Sequence, residues 1–167
     1  MTAHETLIAL EAHRTTLLAR LDALPPARLA APPAEGAWSL AQIVDHLARI
    51  DSGFCLDGPT ASPFARATSR ARCAVLRSVL ALPLQIPAPP GAGRVMPSAA
   101  PDYASTCGAW SARREGWRRG LAEADPEAVA LRHPLLGPFV LRDALAFLLA
   151  HHRHHNAQVE RTLAAVR

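Results

Sequence analysis

Apolar residues recur at helical spacing in four long stretches of the chain, and proline-rich segments separate them. In the first, residues 2–24, Leu7, Leu10, Leu17, Leu18 and Leu21 fall on one stripe. Pro25, Pro26, Pro32 and Pro33 then end the pattern and form a connection. The second stretch opens with clear local chemistry. Ser39 is a good N-cap, Gln42 three residues later completes a capping box, and Trp38 with Ile43 fits a hydrophobic staple. Leu40, Ile43, Leu47, Ile50 and Phe54 make one apolar face, which Gly58 and Pro59 end. A less regular stretch, residues 63–82, predicts a helix, and residues 83–101 predict a loop rich in proline and glycine. Cys107, Trp110, Arg114, Trp117 and Leu121 mark a helix over 103–124. A turn at His133, Pro134 and Gly137 leads to a last helix over 140–166. The pattern predicts no strand and no internal repeat.

These elements give an all-α protein, with residues 1–167 as a single domain. Connections between neighbouring bundle helices are usually short. The segment 57–101, a short helix plus the proline-rich loop, is long enough to cross the molecule. Bundle helices 2 and 3 can therefore run parallel rather than alternate.

Composition adds little direction. Half of the residues are hydrophobic and only 5% aromatic, so Leu, Ala and Val must fill the core. Cys55, Cys73 and Cys107 are odd in number and far apart, which predicts reduced and mostly buried thiols rather than a disulfide framework. No leader pattern begins the chain and no apolar run is long enough to span a bilayer, so a cytoplasmic protein is expected. The formal net charge is +4, and every basic residue is arginine. Arg113, Arg114, Arg118 and Arg119 cluster near Trp110 and Trp117. They read as a solvated helix face beside two core tryptophans, and no nucleic-acid partner is expected.

The candidate chemistry lies in the last helix. Its segment 150–158, Ala-His-His-Arg-His-His-Asn-Ala-Gln, holds four of the eight histidines. At about 100° per residue, His151 and His155 stand only about 40° apart, on the side of Ala144, Leu148 and Val159. His154 turns toward the charged face, where it would be solvated. His152 also has an i,i+3 relation to His155, so spacing alone leaves two candidate pairs. Two imidazoles on a buried face are costly unless something meets their nitrogens, and neutral imidazole is a common ligand for Zn, Ni, Cu and Fe. His46, beside Ile43 and Ile50 on the second helix, is the natural further ligand. His4, His13 and His133 have no such setting.

The ordered pieces Trp38-Ser39-Leu40-Ala41-Gln42-Ile43-Val44-Asp45-His46-Leu47, His133-Pro134-Leu135-Leu136-Gly137 and His151-x3-His155-Asn156-Ala157-Gln158 resemble the DinB-like (DinB/YfiT) superfamily over essentially the whole chain. That resemblance implies an up-down-down-up four-helix bundle. It also implies one divalent metal ion, most often zinc or nickel with iron or manganese as alternatives, held by His46, His151 and His155. It selects the i,i+4 pair, and places Gln158, and less directly His152, at the pocket lining. Asn156 and Ala157 stand where many relatives have Arg and Gly, a departure that touches no ligand.

Three neutral histidines would leave a divalent ion its full charge and an open position, the arrangement of a catalytic rather than a structural site. Members of the resembling family include hydrolases and thiol-dependent S-transferases. The expectation is therefore a metal-dependent S-transferase that joins a low-molecular-weight thiol, of the bacillithiol or mycothiol type, to an electrophile. A metal-dependent hydrolase and a non-catalytic metal-binding stress protein are the alternatives. Asp45, next to His46, turns away from it by about 100°. Asp51, Asp102 and Tyr103 remain as candidate bases. The loop 83–101 is expected to roof the pocket, and apolar helix faces leave a homodimer open.

Overall fold

A computed structural model describes residues 1–82 and 92–166. Its bundle helices are α1 (Ala3–Asp22), α3 (Leu40–Ser52), α5 (Tyr103–Gly120) and α6 (Leu141–Ala165). A short α2 (Pro26–Ala30) interrupts the first connection. Helix α4 (Pro63–Leu80) and a 3-10 turn, Ala92–Val95, lie within the excursion between α3 and α5. Four of these starts are capped by a side chain. Thr2 and Ser39 form capping boxes with Glu5 and Gln42, Ser62 caps α4 ahead of Pro63, and Asp102 caps α5.

The contacts between helices fix the topology. Along α1 and α6, His13 meets Asn156 and Arg20 meets Glu160, so these two run parallel. Helix α5 crosses α1 in the opposite sense, with Tyr103 bound to Asp22 and Ser111 to Arg14. Gln42 near the start of α3 reaches Ser98 and Ala99 just ahead of α5, and Phe54 beyond its end packs on Trp117. Helices α3 and α5 therefore run parallel, and the order is up-down-down-up. Leu10, Leu21, Leu40, Ile43, Leu47, Trp110, Leu145 and Leu148 fill the interior, each fully buried. At roughly 25 cal/mol per Å² of apolar surface, such side chains contribute about 1.5–3 kcal/mol each.

Two elements depart from the sequence expectation. Residues 25–33, expected as a plain connection, contain α2, which Pro26 starts because its fixed φ suits the first helical position. The expected turn at 133–137 is the tip of a hairpin, β1 (Val129–His133) with β2 (Gly137–Val140), paired antiparallel. Five- and four-residue strands carry too little alternation to read as a pattern, and Pro138 argues against one. Gly137 takes φ +75° at the turn, a conformation natural to glycine. No described helix is long and apolar enough to cross a membrane.

Candidate metal centre

His46 sits in the middle of α3, on the face that its amphipathic pattern turns inward, and is buried. His151 and His155 lie one turn apart on α6 and face it. Ring centroids stand 5.2 Å apart for His46 and His151, 4.8 Å for His46 and His155, and 4.7 Å for His151 and His155. Each ring offers one nitrogen to the cluster, and these nitrogens all lie within 4.8 Å of one another. Ligands of a tetrahedral zinc at ~2.0–2.1 Å are roughly 3.4 Å apart, so small ring rotations separate this arrangement from a coordinated one.

The surroundings keep these imidazoles neutral. Burial lowers the pKa of all three. For His155, burial and then the neighbouring His46 push it down to about 3. For His151, burial, His155 and His46 hold it well below its ordinary value. The outer nitrogens are assigned by their partners. His46 Nδ1–H donates to the Val95 carbonyl at 2.6 Å, and His155 Nδ1–H donates to Gln158 Oε1 at 2.7 Å. A neutral ring that donates from Nδ1 carries its lone pair on Nε2, so both rings are prepared as ligands. The buried His151 Nδ1 has no hydrogen-bond partner among the described residues, a costly condition unless a further group meets it. Converging neutral imidazoles with two outer nitrogens anchored fit a borderline divalent metal well.

Two aromatic side chains frame the cluster. The Trp38 ring lies 4.9 Å from His46 and stacks at 6.2 Å on His155, while Phe147 lies 5.7 Å from His151. In the sequence Trp38 reads only as a staple, and Val95 gives no sign because backbone carbonyls leave no signature. Gln158 reaches the cluster through its bond to His155.

His152 lies elsewhere. It is fully buried on the other flank of α6, where Nε2–H donates to Asp51 at 3.0 Å. Asp51 also accepts from Trp110 and from Arg114 Nε at 2.8 Å. Burial alone would raise the Asp51 pKa, but His152, Arg114 and Trp110 bring it below the ordinary carboxylate value. This cluster overturns the solvated-face reading for Arg114, which is 2% exposed; Trp110 and Trp117 are core residues as expected. His154 is half-buried rather than solvated, with Nδ1–H donating to the Leu80 carbonyl at 2.9 Å. Cys73 is buried, but Cys55 is exposed and Cys107 half-buried, so the thiols are less uniformly buried than expected.

None of the candidate bases is free at the cluster. Asp45 Oδ2 accepts from Arg49 and from the Ser98 amide, Asp102 caps α5, and the Tyr103 hydroxyl donates to Asp22. Residues 92–99 meet α3 beside His46, whereas 83–91 of the expected roof lie outside the described residues. Two surface grooves of about 410 and 370 Å³ run along α4 and α6, and none of the three histidines lines them.

The DinB superfamily model matches residues 9–159. The chain belongs to the DinB superfamily. No curated protein matches this DinB-superfamily chain. Solved structures that share its fold include two four-helix bundle proteins. TT2238, described as a four-helix bundle protein, is 24% identical over 95% of this chain and 99% of its own, with a TM-score of 0.55. YfiT from Bacillus subtilis, described as a probable metal-dependent hydrolase with an unusual four-helix bundle topology, is 15% identical over 98% of this chain and 89% of its own, with a TM-score of 0.60.

Proposed function

We propose that His46, His151 and His155 hold one divalent metal ion and that the protein is a metal-dependent S-transferase acting with a low-molecular-weight thiol. The observation that carries the reading is the set of three neutral, converging imidazoles with no carboxylate among them. When bound, the ion would keep its full 2+ charge and supply a Lewis acid with an open position. Zinc or nickel suits imidazole together with a thiolate; iron or manganese suits it less.

The chain's own residues would leave proton removal to the bound ion. Asp45, Asp51, Asp102 and Tyr103 are all committed to other partners, so no described carboxylate or phenol is placed to take a proton at the cluster. A nucleophile here must lose its proton without a protein base. On the ion, a thiol, with an ordinary pKa near ~8.5, and a water, brought from ~15.7 to about 7, would both lose their protons, and the softer thiolate is the better match to zinc or nickel. His46 and His155 hold their rings through Val95 and Gln158, and Trp38 and Phe147 limit water at two sides.

A hydrolase is the second reading, favoured by the shared fold with YfiT and its description. The two separate in one assay. Metal-loaded protein is given an alkylating electrophile with bacillithiol, mycothiol or cysteine, and in parallel ester and amide substrates without thiol. Thiol-dependent conjugation is expected. Ester or amide turnover indifferent to thiol would replace the transferase by the hydrolase.

A further inference from the structure

The segment that follows the 3-10 turn is fastened to α3 at several points on one face. Gln42 Nε2 donates to the Ser98 and Ala99 carbonyls, each at 3.2 Å. Asp45 Oδ2 accepts from the Ser98 amide at 2.7 Å, and Arg49 Nη2 donates to Ser98 Oγ at 2.7 Å. His46 Nδ1–H donates to Val95 O at 2.6 Å. Residues 42, 45, 46 and 49 have the i, i+3, i+4, i+7 spacing of a single helix face. Segment 95–99 therefore lies along α3 as a strap, and one of its fastenings is a ring of the histidine cluster.

Asp45 is the centre of this fastening. It is buried at 7% exposure, and Oδ2 receives both the Ser98 amide and Arg49 Nε, the latter at 2.8 Å. A buried carboxylate met by two donors is geometrically defined, and charge-assisted bonds of this kind are about twice as strong as neutral ones. Ser98 is only three residues from Val95. Gln42 and Arg49 hold Ser98 as well, but Asp45 both accepts the Ser98 amide and orients Arg49, so its loss loosens the strap at Ser98 and with it the Val95 carbonyl that keeps the proton on His46 Nδ1 and the lone pair on Nε2.

We infer that Asp45 is a positioning residue for the histidine centre: by holding the Ser98 amide it fixes the Val95 carbonyl, which sets the tautomer and orientation of His46. This rests on the metal-site reading above, but its first consequence concerns the metal-free protein. An acceptor on the outer nitrogen of a histidine ligand is typically worth 10–100-fold in metal affinity. Asp45 acts on His46 through the strap and does not touch the centre. Its charge is a competing route, since a carboxylate near His46 also favours the protonated ring. Asp45→Asn separates the two, because it removes the charge and leaves an oxygen for the Ser98 amide.

The test compares wild type, Asp45→Ala, Asp45→Asn and, as a remote control, Arg20→Ala, which breaks only the exposed pair with Glu160. Two quantities are read. One is the His46 tautomer in metal-free protein, from two-bond 15N–1H correlations of the imidazoles. The other is zinc affinity, by competition with a chromophoric chelator. Wild type, Asp45→Asn and Arg20→Ala should show His46 protonated on Nδ1 alone. Asp45→Ala should show a mixture of tautomers and zinc binding about 10-fold weaker. If Asp45→Ala does not fold, Ser98→Pro removes the same amide donor without altering α3, and the same outcome is expected. Wild-type tautomer and affinity in the folded Ala or Pro variant overturn the inference. So does an Asn variant as impaired as Ala, which would assign the effect to charge. Failure of wild type to bind zinc would instead overturn the metal site and leave the tautomer result to be judged alone.

Discussion

His151 and His152 are adjacent in sequence, and one 100° step of the helix gives them different chemistry. His152 finds a carboxylate, Asp51, and becomes part of a charged core; His151 finds only imidazoles and aromatic rings. His155 is the clearest case of the second environment. Burial and His46 hold its pKa near 3, against about 6.5 in an unfolded chain. Between these values the unfolded state carries a proton that the folded state refuses, so stability is full above about pH 6.5 and falls as pH drops toward 3. Urea unfolding of the metal-free protein at a series of pH values checks this, with His155→Gln beside it. The wild type should lose stability faster than the variant across that window. Parallel pH profiles would show that His155 is not held neutral by the fold.

Among the elements, α3 does the most. It carries His46 on one side of α6 and Asp51 on the other, so one helix serves both the histidine cluster and the charged core. Asp51 joins α3 to α5 through Trp110 and Arg114, and to α6 through His152. The Asp51 and Arg114 side chains are 0% and 1% exposed, so removing Arg114 leaves the buried Asp51 carboxylate with only His152 and Trp110 to meet it and no water. Arg114→Met is therefore expected to cost about 3–5 kcal/mol in denaturant unfolding at pH 7, where a surface pair would cost less than ~1 kcal/mol. A loss below about 1 kcal/mol would contradict the assignment. Helix α3 also shows what a sequence makes legible. Ser39 and Gln42 announce its start because a capping box needs side chains of defined type at defined spacing. The burial of Arg114 is not announced, since its partner lies 63 positions away and an arginine at helical spacing reads the same in water or in the core. The β1–β2 hairpin escapes for another reason: its strands are held by hydrogen bonds between backbones, with too few side chains to form a pattern.

At the scale of the molecule, the excursion between α3 and α5 is what makes the centre. It lets these helices run parallel and sets antiparallel α6 against α3, so that His46 meets His151 and His155 across the bundle. It also returns the chain past His46, where Val95 supplies the acceptor for its outer nitrogen. The family and the bundle followed from motifs that sequence carries openly, whereas the strap and the charged core depend on approaches across the fold. One measurement tests the metal centre most directly: the metal content of purified protein, before and after chelation and reloading with zinc or nickel, for wild type and His151→Ala. One divalent ion per wild-type chain, lost on chelation, regained on reloading and absent from the variant, is the expected result. A wild type that carries no stoichiometric metal and gains none from either ion would contradict it.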